Sequence, residues 1–309
     1  MVPGCKNIGR MLSICIPVYN DDVTPLVYAL ASQGASLQVP FEIILIDDAS
    51  DLPFRNKNEK LSPAAMYIQL TENIGRAKIR NLFTAHARYP YLLFLDCDVV
   101  LLSGSFLTNY VEKLKDGSAF VICGGRIYDS LTPDRSHRLR WTYGRKKESQ
   151  PTEVRSQHPY QSFMTNNFII RKEVLEAIRF DETLEGYGHE DTLFGYSLQK
   201  REIPVSHIHN PVLNGHLESN EVYLKKTEEG VKNLARIVNG MGEEKEFIRG
   251  VSLLRFYQKI KALAPVLRIV FHMTKPFFLP LLKKGYVLLP LFDFYKLGLL
   301  MKYLHEHNE

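Results

Sequence analysis

The sequence predicts an α/β fold, a mainly parallel sheet flanked by helices, with a helical appendage at the C-terminal end. Three observations predict it. Short apolar runs alternate with helix-like stretches through the first half, as when strands are joined by helical crossovers. Several of those runs stop at clusters of Asp or Asn, and in open α/β sheets ligands gather outside the C-terminal ends of strands. From about Val251 the composition shifts to apolar and aromatic residues interleaved with Lys and Arg.

Taken in chain order, residues 12–18, 41–47, 66–71 and 91–96 read as buried strands, each bounded by polar or turn residues. Between the last two, Ile79, Leu82, Phe83 and Ala87 fall on one face of a helix over 75–88. Residues 119–128 read as one further strand. Residues 129–160 show little periodicity, longer than the roughly 12–15 residues usual for a structureless loop, and carry Arg135, Arg140, Trp141, Arg145 and Lys147. A strand over 163–171, an amphipathic helix over 190–201 and another over 221–238 complete a domain placed at 10–245. Residues 251–309 form the appendage, which Pro265, Pro276, Pro280 and Pro290 should cut into short helices. No uninterrupted apolar run there reaches the roughly 18–20 residues of a membrane span.

Bulk properties narrow the function classes. The chain of 309 residues has net charge +5. Nine Lys and Arg against three Asp and Glu lie beyond Val251, so basicity belongs to the tail and argues against a general nucleic-acid binder. Cys5, Cys15, Cys97 and Cys123 are widely spaced without a CxxC pair, which argues against a disulfide framework or zinc site and points to a reducing compartment. The first twenty residues lack a signal-peptide pattern. A cytosolic catalytic part is expected.

Asp96–Cys97–Asp98 closes the 91–96 run. Alternation along a strand puts its two carboxylates on one face, where both can approach one Mg²⁺ or Mn²⁺. A solvated turn is the plainer reading of such a triplet. Asp47–Asp48 ends a second strand and Pro17–Val18–Tyr19–Asn20 the first. Their acids, aromatic ring and amide suit a nucleoside, though helix capping and turns use the same residues.

These segments, in order, resemble the bacterial family 2 glycosyltransferases of the GT-A fold. The resemblance rests on Ser13-Ile-Cys-Ile-Pro-Val-Tyr-Asn20, Asp47-Asp-Ala-Ser-Asp51, Asn73-Ile-Gly-Arg-Ala-Lys-Ile-Arg-Asn81, Asp96-Cys-Asp98 and Gly186-Tyr-Gly-His-Glu-Asp191, and spans about residues 10–240. It implies an inverting transferase that takes a sugar from a nucleoside diphosphate, usually UDP. Pro17, Tyr19, Asn20 and Asp48 would serve the nucleoside. Asn73, Arg76 and Lys78 would lie near ribose and diphosphate. Asp96 would approach ribose or metal, and Asp98 would ligate Mn²⁺ or Mg²⁺, with His216 a third ligand chosen over His207 and His209. Asp191 would be the base on the acceptor hydroxyl and Glu190 would orient the acceptor, although acids at a helix start are also favoured by its dipole. Tyr187 stands where the family often has Trp, which bears on acceptor packing. Arg135–Lys147 would fold over the diphosphate with Trp141 against sugar, or form a solvated loop. Asn166 and Asn167 would bond sugar hydroxyls or local backbone.

The acceptor is expected to be a surface glycan or lipid-linked saccharide. The tail, 251–309, would hold the enzyme on an anionic membrane surface at the inner face of the cell membrane, or pack on protein. A sugar nucleotidyltransferase is the enzymatic alternative, disfavoured because no Gly-rich phosphate loop follows the first strand. A catalytically inactive membrane-associated glycan-binding protein is the other, and the retained Asp98, Glu190 and Asp191 argue against it.

Overall fold

The computed structural model describes residues 11–115, 117–184, 186–242 and 244–306. Cys5 lies outside them; Cys15, Cys97 and Cys123 are free thiols. The chain forms two compact units. One holds residues up to Ile127, Ser149–Thr183 and Leu193–His216, the other Tyr128–Glu148, Leu184–Thr192 and everything from Leu217 onward.

The first unit is built on β1 (Leu12–Val18), β2 (Phe41–Asp47), β3 (Met66–Gln69) and β4 (Tyr91–Leu95). The short β5 (Val99–Leu101), β6 (Val121–Cys123) and β7 (Arg126–Ile127) follow, then β8 (Asn167–Arg171), β9 (Val205–His207) and β10 (Val212–Asn214). A seven-stranded sheet runs in the order β3-β2-β1-β4-β8-β6-β9, and a second has the order β5-β10-β7. β1, β2, β3 and β4 are mutually parallel, whereas β8 runs antiparallel to both β4 and β6. The central strands are almost continuously apolar because both faces are covered. Ile14, Ile16 and Leu93 join the core under the Thr24–Gly34 and Phe106–Lys113 helices. Cys15, Ile44, Leu92 and Phe94 join the core on the other face, with Ile79 and Phe83 of the Arg76–His86 helix. Burial of each such Leu, Ile or Phe is worth about 1.5–3 kcal/mol.

Two sequence expectations fail here for local reasons. Residues 119–128 are two strands in two sheets, broken at Gly124–Gly125. A Cβ at Gly124 would meet the Asn210 carbonyl oxygen at 2.5 Å, and Gly125 has φ 95°, so the chain turns where only glycine fits. Residues 129–160 are not structureless: helices span Arg138–Tyr143 and Thr152–Gln157, too short to show a period. The first is anchored by Arg140, which is buried, bonds Glu148 at 2.8 and 3.0 Å and lies between the rings of Tyr128 and Tyr223. The second is held by buried Arg155, which donates to the carbonyls of Gly124 and Ile208.

In the second unit, the Asn220–Met241 helix starts at Ser219, whose Oγ accepts from the Val222 amide at 3.3 Å. Its buried stripe includes Tyr223, Leu224, Val231, Leu234 and Ala235, the spacing of a helix with one core face. It packs on the Leu289–Glu306 helix, whose Phe292, Leu299 and Leu300 are fully buried. The tail prolines do not cut the chain as expected. Ala264–Lys283 is one helix of 20 residues with Pro276 and Pro280 inside it, and Pro265 in its first turn. His272 and Pro276, whose carbonyls lose an amide partner to those prolines, are exposed, as is Pro280, so water replaces the missing bonds. The stretch Ser252–Lys283 is, by length and composition, apolar enough to cross a membrane.

Candidate active site

Strand order reverses between β1 and β4: the chain moves outward from β1 to β2 and β3, then returns to place β4 on the other side. A crevice at the C-terminal ends of the strands is expected at such a switch. Pairing of β1 with β4 ends at Cys15–Phe94, just before Pro17, which has no amide to continue a ladder. The segments Tyr19–Asn20 and Asp96–Asp98 therefore leave the sheet on the two sides of this crevice.

Asp96 is fixed by an ion pair that the sequence reading missed. Arg80 Nη2 donates to Asp96 Oδ1 at 2.9 Å, with Arg80 only 2% and Asp96 21% exposed. Arg80 also donates to the Arg76 carbonyl at 3.1 Å and lies over Phe180. Burial alone would raise the Asp96 carboxyl, but Arg80, Arg76 and Arg126 outweigh it and hold it below the usual range. Asp98 moves the other way. Burial and the neighbouring Asp96 push its carboxyl up, with Arg126 and Arg76 offsetting only part.

The small sheet brings His216 toward this turn. Val99 pairs with Asn214, and the Gly215 amide donates to the Asp98 carbonyl at 2.7 Å. A Cβ at Gly215 would come within 2.5 Å of that carbonyl, so the approach requires glycine. The exposed His216 has its Nδ1 3.5 Å from Asp21 Oδ2, an acid that the sequence reading did not single out. His207 is excluded as a competing ligand: its Nδ1 faces Arg155 at 2.8 Å and its Nε2 the Pro159 carbonyl at 2.9 Å. Among the described residues no three His, Cys, Asp or Glu side chains are grouped to hold an ion by themselves. Asp96 and Asp98 alone suit a cation that takes one or two protein carboxylates and completes its shell with phosphate oxygens and water.

The nucleoside candidates divide into framework and surface. Asp48 is buried, and its two carboxylate oxygens accept from the amides of Ile74 (2.7 Å) and Gly75 (3.1 Å). Burial raises its carboxyl, those two bonds opposing. Asn73 donates to the Asp48 carbonyl at 3.1 Å. Asp48 thus pins the turn that starts the Arg76–His86 helix, from whose first turn Arg76 and Lys78 reach the surface. Asn20 takes a positive φ of 51°; its amide bonds Ser50 Oγ and its Oδ1 accepts from the Asp51 amide at 2.7 Å. That ties the β1 and β2 ends together and leaves Tyr19 53% exposed. Asn167 is committed to structure, donating to Gly125 and Asn210 carbonyls and accepting from Tyr110. Asn166 differs: it is buried, its carbonyl accepts from the Asp96 amide, and its Nδ2 has no partner.

In the second unit the Gly186–Asp191 segment is a tight turn opening the Glu190–Lys200 helix. Gly186, Gly188 and His189 all have positive φ, 73°, 100° and 70°. A Cβ on Gly188 would lie 2.9 Å from the Gly230 Cα. Glu190 accepts from the Gly188 amide at 3.1 Å and Asp191 from the Thr192 amide at 2.7 Å. Lys226 lies 4.9 Å over the Tyr187 ring. Trp141 is held by its Nε1 bond to the Asp129 carbonyl, with Arg145 stacked at 5.0 Å.

Residues 13–179, more than half of the chain, match the family model described as Glycosyl transferase family 2. A chondroitin synthase of Pasteurella multocida is 25% identical over 229 residues, covering 63% of this chain and 23% of that one. This chain spans about a quarter of the length of three curated relatives it matches and 40% of a fourth. Among solved structures, the mannosyltransferase PcManGT of Pyrobaculum calidifontis, in complex with GDP-Man and Mn²⁺, superposes with TM-score 0.57 at 14% identity, over 96% of this chain and 87% of that one. S. aureus TarS 1–349 in complex with UDP-GlcNAc gives TM-score 0.51 at 19% identity, over 96% and 91%. The architecture is that of these GT-A glycosyltransferases, as the sequence predicts.

Proposed function

Because the chain belongs to glycosyl transferase family 2, we propose that it transfers a sugar, with inversion, from a nucleoside diphosphate donor to a hydroxyl of a glycan or lipid-linked saccharide. The donor is a UDP-sugar carrying a hexosyl or N-acetylhexosaminyl group, as in the TarS complex with UDP-GlcNAc. One observation carries the reading: Asp96 and Asp98 end a central strand at the switch between β1 and β4, under the charge of Arg76, Arg80 and Arg126.

Each residue then has a task. Asp98 would hold Mn²⁺ or Mg²⁺ together with Asp96, with His216 as a further ligand, and a cation held there would supply positive charge to the departing diphosphate. Arg80 keeps Asp96 ionised and oriented. Pro17, Tyr19 and Asn20 meet the base, Asp48 and Asn73 fix the turn before the helix, and Arg76 and Lys78 add positive charge for the phosphates. Asn166 offers its buried amide to a hydroxyl of the donor. Asp191 takes the acceptor proton as the acceptor oxygen bonds the anomeric carbon and the bond to the diphosphate breaks, and Glu190 orients the acceptor. The protein works at the cytoplasmic face of a membrane, as a peripheral enzyme.

Calorimetric titration with UDP tests the donor half. The wild type should need Mn²⁺ or Mg²⁺ for tight binding, and Asp98→Asn should lose at least about tenfold of that affinity. Unchanged cation-dependent UDP affinity in Asp98→Asn refutes the assignment.

A further inference from the structure

The tail segment does two different things, and the structure separates them. The Leu289–Glu306 helix is a core element, with Phe292, Tyr295, Leu299, Leu300 and Met301 buried. The Ala264–Lys283 helix is divided lengthwise. Phe271, Phe278 and Leu282, spaced i, i+7, i+11, are buried against its neighbour. Phe271 and Phe278 lie 5.8 and 6.0 Å from the Phe294 ring, and a Cβ at Gly298 would strike Phe271 at 2.1 Å. Another face carries Val266, Ile269, Val270, Met273, Phe277 and Leu281, all exposed, at i, i+3, i+4, i+7, i+11 and i+15. Phe277 is 79% and Met273 66% exposed. A continuous apolar stripe of this kind marks a surface that meets something apolar.

Charge says what that is. Between Val251 and Phe292 the sequence has seven Lys and Arg and no Asp or Glu. Exposed Lys259 and Lys261 stand before the helix, and exposed Lys284 follows it three residues beyond Leu281. Cations at both ends of an apolar stripe fit a bilayer interface with anionic headgroups, where the apolar face sinks to the acyl boundary. The committed face decides between lying on and crossing. A spanning helix in this place would carry Phe271 and Phe278 away from Phe294, or draw the Leu289–Glu306 helix, with Asp293 and Lys296, into hydrocarbon.

We propose that the exposed stripe of the Ala264–Lys283 helix is a membrane-insertion face for anionic lipid, docked in the interface and not spanning it. This rests on the peripheral location proposed above and sharpens it to one helix face, independently of the transfer chemistry.

The test uses the full chain, with vesicles of phosphatidylcholine alone or mixed with phosphatidylglycerol, followed by flotation. Wild type should float with the mixed vesicles, less so at high salt, and be extracted by carbonate wash. Met273→Glu with Phe277→Glu should lower vesicle affinity at least about a hundredfold, from the apolar burial forgone, with an unchanged melting curve because both positions are exposed. Lys259→Ala with Lys261→Ala should cost about 25-fold, roughly fivefold per cation. UDP calorimetry on the same variants should be unaffected, which keeps this test separate from that of the active site. Three results overturn the proposal: no flotation of the wild type, resistance to carbonate extraction, or a wild-type dimer that becomes monomeric in the Met273→Glu, Phe277→Glu variant while vesicle binding is unchanged. The last would make the stripe a contact between two copies.

Discussion

Replacing Arg80 by Met removes one charge from an enclosed ion pair of the candidate site and keeps a side chain of similar length beside Phe180. Breaking a buried pair by removing one partner costs about 3–5 kcal/mol, since the other charge stays behind without compensation. Arg80 is 2% exposed but Asp96 is 21% exposed, and Arg76 and Arg126 still act on Asp96, so water and these charges recover part of that loss and about 2–3 kcal/mol is the better figure. For a chain of this size each kcal/mol moves the midpoint by about 2 °C, giving a drop of roughly 4–6 °C. Thermal unfolding of wild type, Arg80→Met, Asp96→Asn and the double variant forms a cycle. Because the two side chains are in contact at 2.9 Å, the double variant should be more stable than the sum of single losses allows, by about 1–2 kcal/mol. An Arg80→Met midpoint within about 1 °C of wild type, or strictly additive losses, would refute the claim that Arg80 holds Asp96.

The remaining expectations concern the second unit. Asp191→Asn should leave UDP affinity intact and lower transfer by about 10²–10⁴-fold, measured by initial rates; if Glu190→Gln has the larger effect, the two roles exchange. Gly188→Ala combines φ 100° with a Cβ 2.9 Å from Gly230, so urea unfolding should show a loss of about 1–3 kcal/mol, and wild-type stability would contradict the packing. Burial, aided by Lys296 and opposed by Glu190, lowers the His189 imidazole to about 4. The unfolded chain then takes up this proton from about pH 6.5 downward while the folded chain does not. Stability linked to His189 is present above pH 6.5, falls as pH drops toward 4, and loses at most about 3 kcal/mol. His189→Asn, which tolerates the positive φ, should flatten that limb of the stability curve; parallel curves for the two proteins would contradict it.

How much of the fold was legible follows from how each element is stabilised. β1 and β2 fall on the residues expected, 12–18 and 41–47, because a strand covered on both faces writes its whole length in apolar residues. The Arg76–His86 and Asn220–Met241 helices were legible through one-sided periodicity. Elements stabilised by single contacts were not. β5 has three residues and β7 two, shorter than any period, and each exists because β10 lies beside it. The Arg138–Tyr143 helix rests on a buried Arg140 whose partners, Glu148 and Tyr223, are 8 and 83 positions away in sequence. The same limit applies to the tail: Pro276 and Pro280 weigh against a helix by propensity, yet apolar packing of Phe271, Phe278 and Leu282 keeps it continuous.

The candidate site divides along the same line. Asp96, Asp98 and Tyr19–Asn20 could be placed because the ends of apolar strands are visible in sequence, and the sheet order brings two of those ends to the switch. Their charge partners could not be placed, although one carried a signal. Arg80 occupies the stripe of the Arg76–His86 helix that continues through Phe83 to Ala87, both buried. An arginine at a core position needs an anion, and the nearest strand end with acids was Asp96–Asp98. A charged residue in an apolar stripe is an unsatisfied demand for a counter-ion, and that demand points to this pair. No such rule finds Asp21 beside His216, since both sit in irregular segments where acids and histidines are unremarkable. What joins them is the Gly215 approach to Asp98, a close backbone contact made possible by the missing side chain and invisible without the sheet.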